Sequence, residues 1–246
     1  MVAMPRYGTP NIDYMVGWLS LEQDSPMWAL NLMKYRPVAE YADGRESSIS
    51  GAAADEAYKP DGPLAKVGAR ILLIAEVTAQ PAGDGTRWDR VAIAQYPTRA
   101  AMMTMQMDKD FEKLHEHKDA GMDFTIVNAT FPRHGFVPPD DAGSAAGTDD
   151  LLLLEVVADA ATPELAAGVD SVAIGRFDIE DVIVGDQRRW AEARWDLISA
   201  ATAAELAARP TAAAADRYAF VLDPRLDLIA QSLRDHAAGT FPAPSA

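Results

Sequence analysis

The chain has no cysteine. That excludes disulfides, thiolate nucleophiles, iron–sulfur clusters and cysteine-based zinc sites, and it fits a reducing compartment. No apolar run approaches the ~18 residues that a transmembrane helix needs. Residues Met1–Gly8 lack the basic start and apolar core of a signal peptide, so a cytoplasmic protein is expected. A basic surplus is missing too: 22 Lys and Arg face 37 Asp and Glu, for a net charge of −15. General nucleic-acid binding needs a basic footprint that displaces counterions, so it is disfavoured, as is docking on anionic membranes. The acidity reads as solubility. There is no Gly-x-Ser-x-Gly elbow and no glycine-rich loop that would cradle a phosphate after a strand. Gly83-Asp84-Gly85 lies between two strand patterns and reads as a hairpin turn.

What is present is ordinary globular composition, 49% hydrophobic and 24% charged over 246 residues. This suits one large domain or two small ones, with a sizeable core. Residues 138–150 are small, polar and acidic, the composition of a linker. They separate a first unit over 27–137 from a second over 151–236. Residues 1–26 form an extension and 237–246 a tail. Within the extension, Ile12, Met15, Val16 and Leu19 have helical spacing and predict a short helix packed on the first unit.

The first unit reads strand, helix, strand, strand, helix, strand. Trp28–Arg36, Ala69–Val77, Trp88–Pro97 and Phe124–Phe131 are the strands. Ser50 N-caps the first helix and Gly68 stops the stretch that follows. Thr98 opens one Met-rich helix, in which Met103, Met107, Phe111 and Leu114 make a buried stripe. In the second unit Leu151–Val157 is a strand, Thr162-Pro163-Glu164 starts a short helix, and Ser171–Phe177 with Asp181–Val184 reads as a hairpin. Asp186–Ala208 reads as a long amphipathic helix, Tyr218–Leu222 as a strand and Leu226–His236 as the last helix.

The segments Gly68-Ala69-Arg70-Ile71, Trp88-Asp89-Arg90-Val91 and Tyr96-Pro97-Thr98-Arg99-Ala100 resemble a widespread uncharacterised family of dimeric α/β-barrel proteins. The resemblance covers residues 66–131. Members of that family are usually one unit and pair two copies; here two tandem units would build the pair within one polypeptide. The expected fold class is therefore α+β, with two ferredoxin-like βαββαβ units forming a pseudo-dimeric α/β barrel, and a further homodimer is compatible with it. The superfamily spans cofactor-free monooxygenases, lactone isomerases, polyketide cyclases, haem enzymes and ligand-sensing modules, so the fold alone selects no function.

A sheet with helices on one face must bury the other against a second sheet, which predicts a lumen for a small molecule. Alternation assigns Trp28, Leu30, Leu32, Val91 and Ile93 to the helix side. It assigns Asn31, Met33, Tyr35, Trp88, Arg90, Ala92, Ala94 and Tyr96 to the lumen. Arg70 and Glu76 share a phase on their strand. The plain alternative is that Trp88 and Tyr96 fill the core while Arg90 pairs with an acid.

In Leu114-His115-Glu116-His117-Lys118, a metal pair is disfavoured because i and i+2 on a helix point about 200° apart. A single histidine acting as general base suits neutral pH better. The methionines belong to the core stripe rather than to copper, and no histidine stands in a context for haem. Asp178, Glu180, Asp181 and Asp186 read as solvated charge rather than a calcium loop. The sequence thus predicts a cofactor-independent small-molecule enzyme, of isomerase, cyclase or monooxygenase type, acting on a mostly apolar substrate in the lumen. His115, His117, Arg90 and Tyr96 are its catalytic candidates. Asn31, Tyr35, Trp88, Arg70 and Glu76 are its substrate-binding candidates; no metal, no cofactor, no nucleic acid and no membrane partner is expected. The alternative is a non-catalytic binding or sensor protein of the same fold.

Overall fold

The computed structural model describes residues 5–21 and 25–241, so parts of the extension and tail lie outside the described residues. Among the described residues are ten strands and seven α-helices. The first half holds β1 (Thr9–Pro10), α1 (Ile12–Gly17), β2 (Met27–Tyr35), α2 (Gly51–Ala57), α3 (Asp61–Lys66), β3 (Arg70–Gly83), β4 (Arg90–Tyr96), α4 (Arg99–Gln106), α5 (Lys109–Gly121) and β5 (Met122–Pro132). The second holds β6 (Leu151–Val157), β7 (Ser171–Gly185), β8 (Glu192–Ile198), α6 (Ala200–Ala208), β9 (Ala212–Ala213), β10 (Arg217–Asp227) and α7 (Ile229–Ala237). Within this set no helix is long and apolar enough to cross a membrane.

Eight strands close a ring in the order β7-β5-β2-β4-β3-β10-β6-β8 and back to β7. Every pairing around it is antiparallel. The protein is thus α+β with a closed eight-stranded antiparallel barrel, and closure leaves the ring no free sheet edge. Each half supplies four strands, ordered in space as its fourth, first, third and second. The joints are β5 on β7 and β3 on β10. β1 adds to β7, and β9 runs parallel to the end of β3.

The interior is packed. Trp28, Leu30, Leu32, Val91 and Ile93 from the first half meet Leu152, Leu154, Val156, Phe177, Trp195 and Phe220 from the second. Each such side chain contributes roughly 1.5–3 kcal/mol on burial. Ile229, Ala230 and Leu233 of α7 join the same core. So do Ala142 and Ala145 of the 138–150 segment, which has no helix or strand yet is packed down. The amide of Ala145 donates to Asp227 at 3.0 Å.

The expected faces are therefore reversed. The strongly apolar face of β2 and β4 turns to the barrel interior, because there it meets a second apolar sheet face. The mixed face, with Ala29, Ala94 and Tyr96, is covered by Leu64 of α3, Met102 and Met105 of α4 and Phe111 of α5.

Capping explains the helix boundaries. Ser50 accepts from the amide of Ala53 at 3.1 Å and Thr98 from that of Ala101 at 3.0 Å. The single Met-rich helix is in fact two. Asp108 accepts from the amides of Asp110 and Phe111 at 2.7 and 3.1 Å, restarting the helix and breaking the stripe. Met107 is consequently 69% exposed, while Met102 and Met105 are buried. The expected stripe over α1 and the turn after it packs only in part: Met15 lies against the first-half core and Trp18 is buried there, while Ile12, Val16 and Leu19 are exposed.

The second half departs further from expectation. The hairpin over Ser171–Val184 is one continuous strand, β7. The long helix over Asp186–Ala208 is β8 followed by α6, capped by Ser199. Trp190 and Ala193 turn inward, but from an extended chain. No α-helix follows Thr162; only a short 3-10 turn, Ala166–Gly168, forms there.

Candidate functional site

A cavity of about 1210 Å³ lies between the outer face of β2 and β4 and the helices α2, α3, α4 and α5. It forms because that strand face is small. Ala29, Ala92 and Ala94 leave space that bulkier residues would fill, and Met33, Met102, Met103 and Met105 line it with flexible thioether chains. The apolar surroundings make each polar group inside it conspicuous.

His115 of α5 points into this space. Its Nε2 lies 2.7 Å from the hydroxyl of Tyr7, which the N-terminal segment carries across α5. Backbone pairing fixes the segment, since the amide of Thr125 donates to the Tyr7 carbonyl at 2.8 Å. Arg6 next door donates to Asp119 from its amide and its guanidinium, at 2.9 and 2.5 Å. The His115 ring also packs against Phe111, with centroids 5.3 Å apart. Burial drives its pKa from 6.5 down to about 4, aided by Lys118 and opposed by Asp119. The imidazole is therefore neutral at ordinary pH, and the nitrogen that carries its single proton decides whether Nε2 donates to the Tyr7 hydroxyl or accepts from it. Tyr7 is held as a neutral phenol by burial, reinforced by Asp119 and Asp55.

The other predicted site residues divide. Arg90 and Tyr96 line the cavity, but neither offers a free polar group. The Arg90 guanidinium donates to Glu76 at 2.8 Å, Asp55 at 3.0 Å and Glu56 at 2.7 Å. Burial disfavours its charge, yet Tyr35, Glu76 and Asp55 more than compensate and raise its pKa. It clamps β4 to α2 and β3. The Tyr96 hydroxyl points at the Met105 sulfur, 3.8 Å away, and burial raises its pKa.

Asn31 lines the cavity, accepting from Lys118 at 3.4 Å and donating to the Ala29 carbonyl at 2.9 Å. The Tyr35 hydroxyl is tied to Asp55 at 2.7 Å. His117 points away from His115, with Nδ1 2.9 Å from the Tyr41 hydroxyl. Trp88 precedes β4 and turns into the barrel interior against Phe124 and Tyr218. Arg70 and Glu76 do not share a face. A bulge between Ile71 and Leu73 buries Leu72 and Leu73 together and flips the phase. Arg70 donates to Gln95 at 2.9 Å, on the way to Ser232 of α7, while Glu76 serves Arg90. The Thr98-Arg99 turn is structural as well: Thr98 caps α4, and Arg99 pairs with Glu180 of β7 and covers the Phe131 ring.

Three cavity residues escaped the sequence reading. Tyr7 sits in an extension with no local pattern, so only the folded chain brings it to α5. Tyr58 follows α2 and faces His115, with centroids 6.2 Å apart. Lys118 stands three positions after His115, a spacing that puts the two on one helix face, and that signal was available. Among the described residues no cluster of three or more His, Asp or Glu is arranged to hold a metal ion.

No family model matches the chain, and no curated protein matches it. Among solved structures it is similar to the crystal structure of methylated RPA0582 protein, at 27% identity and a TM-score of 0.47. That match covers 54% of this chain and 100% of the other. It is also similar to RPA0582, a protein of unknown function from Rhodopseudomonas palustris solved as a structural genomics target. There the identity is 25% and the TM-score 0.43, over 49% of this chain and 92% of the other.

Proposed function

We propose that the protein is a cofactor-independent enzyme that moves a proton on a small, mostly apolar molecule held in the cavity between the barrel wall and its helices. Isomerisation, cyclisation and oxygenation all begin with such a step. The observation that carries this reading is the Tyr7–His115 pair set in an apolar cavity. A neutral imidazole there has lost its hydration and accepts a substrate proton, while the phenol supplies a hydrogen bond to the charge that develops. The strand order of the two halves supports a further reading of the barrel as two fused ferredoxin-like units. In that reading the first unit kept a site, and the second became scaffold, with only a 3-10 turn in place of its first helix.

One observation favours the rival reading of a binding or sensor protein. Arg90 and Tyr96 are both tied up by protein partners, which leaves few groups to polarise a substrate. Proton exchange separates the two. The full chain is incubated in deuterated buffer with a panel of apolar ketones and lactones, and deuterium uptake beside the carbonyl is followed by mass. The enzyme reading expects catalysed exchange for at least one compound, reduced about 10²–10⁴-fold by His115→Gln. Tyr7→Phe reduces it as well. Saturable binding across the panel without exchange leaves the sensor reading in place.

A further inference from the structure

Lys118 lines the cavity without a carboxylate in contact with its ammonium group, and it is less exposed than Lys59, the other lysine on the lining. Its ammonium group has a single polar contact, the Asn31 oxygen at 3.4 Å, and lies 5.4 Å from the centre of the Tyr58 ring. Among the described residues it forms no ion pair. The other lysines differ. Lys34 pairs with Asp123 at 2.9 Å and Lys66 with Asp108 and Asp110 at 2.9 and 2.7 Å. Lys59, Lys109 and Lys113 are exposed. Lys118 is half-buried and touches the open space of the cavity. Burial pushes its pKa down, against the pull of Asp55. Burial disfavours the ammonium and so enlarges the share of neutral amine, and the neutral amine is the form that acts as a nucleophile.

We propose that Lys118 anchors ligands covalently, by condensing with the carbonyl group of an apolar aldehyde or ketone in the cavity to form an imine. This rests on the cavity being a small-molecule site. The amine lone pair attacks the carbonyl carbon and forms the C–N bond, and the carbonyl π pair moves onto oxygen. That oxygen takes one proton that originates on nitrogen, giving a carbinolamine. The nitrogen lone pair then forms C=N as the C–O bond breaks, and oxygen leaves as water with the second proton from nitrogen. One amine and one carbonyl give one imine and one water, with no oxidant or reductant. The Tyr7–His115 pair, one helical turn away, is placed to carry these protons.

Reductive trapping tests the proposal. The full chain is treated with decanal and sodium cyanoborohydride near pH 7, and the alkylated lysine is located by peptide mass mapping. Lys118 is expected to be labelled faster than any other lysine, because burial enlarges its neutral fraction and the cavity holds the aldehyde beside it. The fast adduct should vanish in Lys118→Met, which keeps an apolar chain in the same space. In parallel, decanol is used to displace an anilinonaphthalene sulfonate dye from the cavity. Dye displacement with Lys118 labelled no faster than the exposed lysines overturns the imine and leaves the cavity reading standing. No displacement and no selective labelling overturns both.

Discussion

At the residue scale, His115 ties chemistry to stability. The unfolded chain carries it with an ordinary pKa of 6.5, and the fold lowers this to about 4. Between those values the unfolded state holds more protons than the folded one, so stability rises with pH across the window. The contribution is complete above 6.5, shrinks as pH falls toward 4, and is gone below. In full it is worth about 3 kcal/mol. Urea unfolding of the wild type and of His115→Gln at pH 7 and at pH 4.5 checks this. The wild type should lose about 2 kcal/mol more on acidification than the variant. Carboxylates held low by their partners, such as Asp108 beside Lys66, titrate in both proteins and drop out of the comparison. Equal losses would place His115 in contact with solvent and remove the desolvated base from the mechanism. Sequence spacing placed His115 and His117 on different sides of their helix. It held no sign that Tyr7, more than one hundred positions earlier, would meet one of them, because that contact is purely tertiary.

At the element scale the cavity depends on how α2 crosses α5. Gly51 opens α2 and Gly121 closes α5, and the two backbones touch: a Cβ on either residue would run into the carbonyl oxygen of the other. Backbone bonds reinforce the crossing, with the Arg36 amide donating to Gly121 at 2.8 Å and the Gly51 amide to Arg36 at 3.0 Å. Asp55 and Tyr58 ride on or just beyond α2, and His115 and Lys118 on α5, so this contact sets the gap between them. Gly121→Ala should therefore lower stability by about 2–3 kcal/mol and weaken dye binding in the cavity. Gly62→Ala on α3, where nothing lies within 4 Å of the added methyl, should leave both intact or add up to about 1 kcal/mol. Thermal denaturation and dye titration of the two variants decide it, and equal behaviour would show that the crossing has slack. Elements of the first half were legible because their signals are local: Ser50, Thr98 and Gly68 mark ends, and strand alternation is clean. The second half misled for equally local reasons. Trp190, Ala193, Leu197, Ala201 and Ala204 fall at helical spacing by accident of a strand passing into a helix at Ser199. The faces of β2 were readable as two faces, but which one met helices depended on the opposite sheet, which no single strand encodes.

At the scale of the whole molecule, neither half can satisfy itself. The first half ends in two strands, β3 and β5, whose outer backbone groups are paired mainly by β10 and β7. Its interior face, from Trp28 through Ile93, is buried only by the second half. Removing residues 138–246 would therefore expose two open sheet edges and a continuous apolar surface at once, a combination that drives association. The intact chain should accordingly unfold in one cooperative calorimetric transition, because separating the halves already exposes most of the shared core. A fragment ending at residue 137 should be folded only when self-associated, with two copies closing a ring through the same edges, and should lose structure on dilution. Sedimentation across a concentration series, followed alongside the near-ultraviolet signal of Trp28 and Trp88, tests this directly. A fragment that stays monomeric, keeps that signal and melts cooperatively would mean that the first half carries its own core. Closure would then be an addition to that core rather than its condition. The outer-face cavity makes the same experiment informative about function. Its walls come almost wholly from the first half, with Val184, Arg225 and Leu226 as the second half's share. A self-associated fragment should therefore rebuild a cavity that still binds dye, and the Tyr7–His115 pair within it.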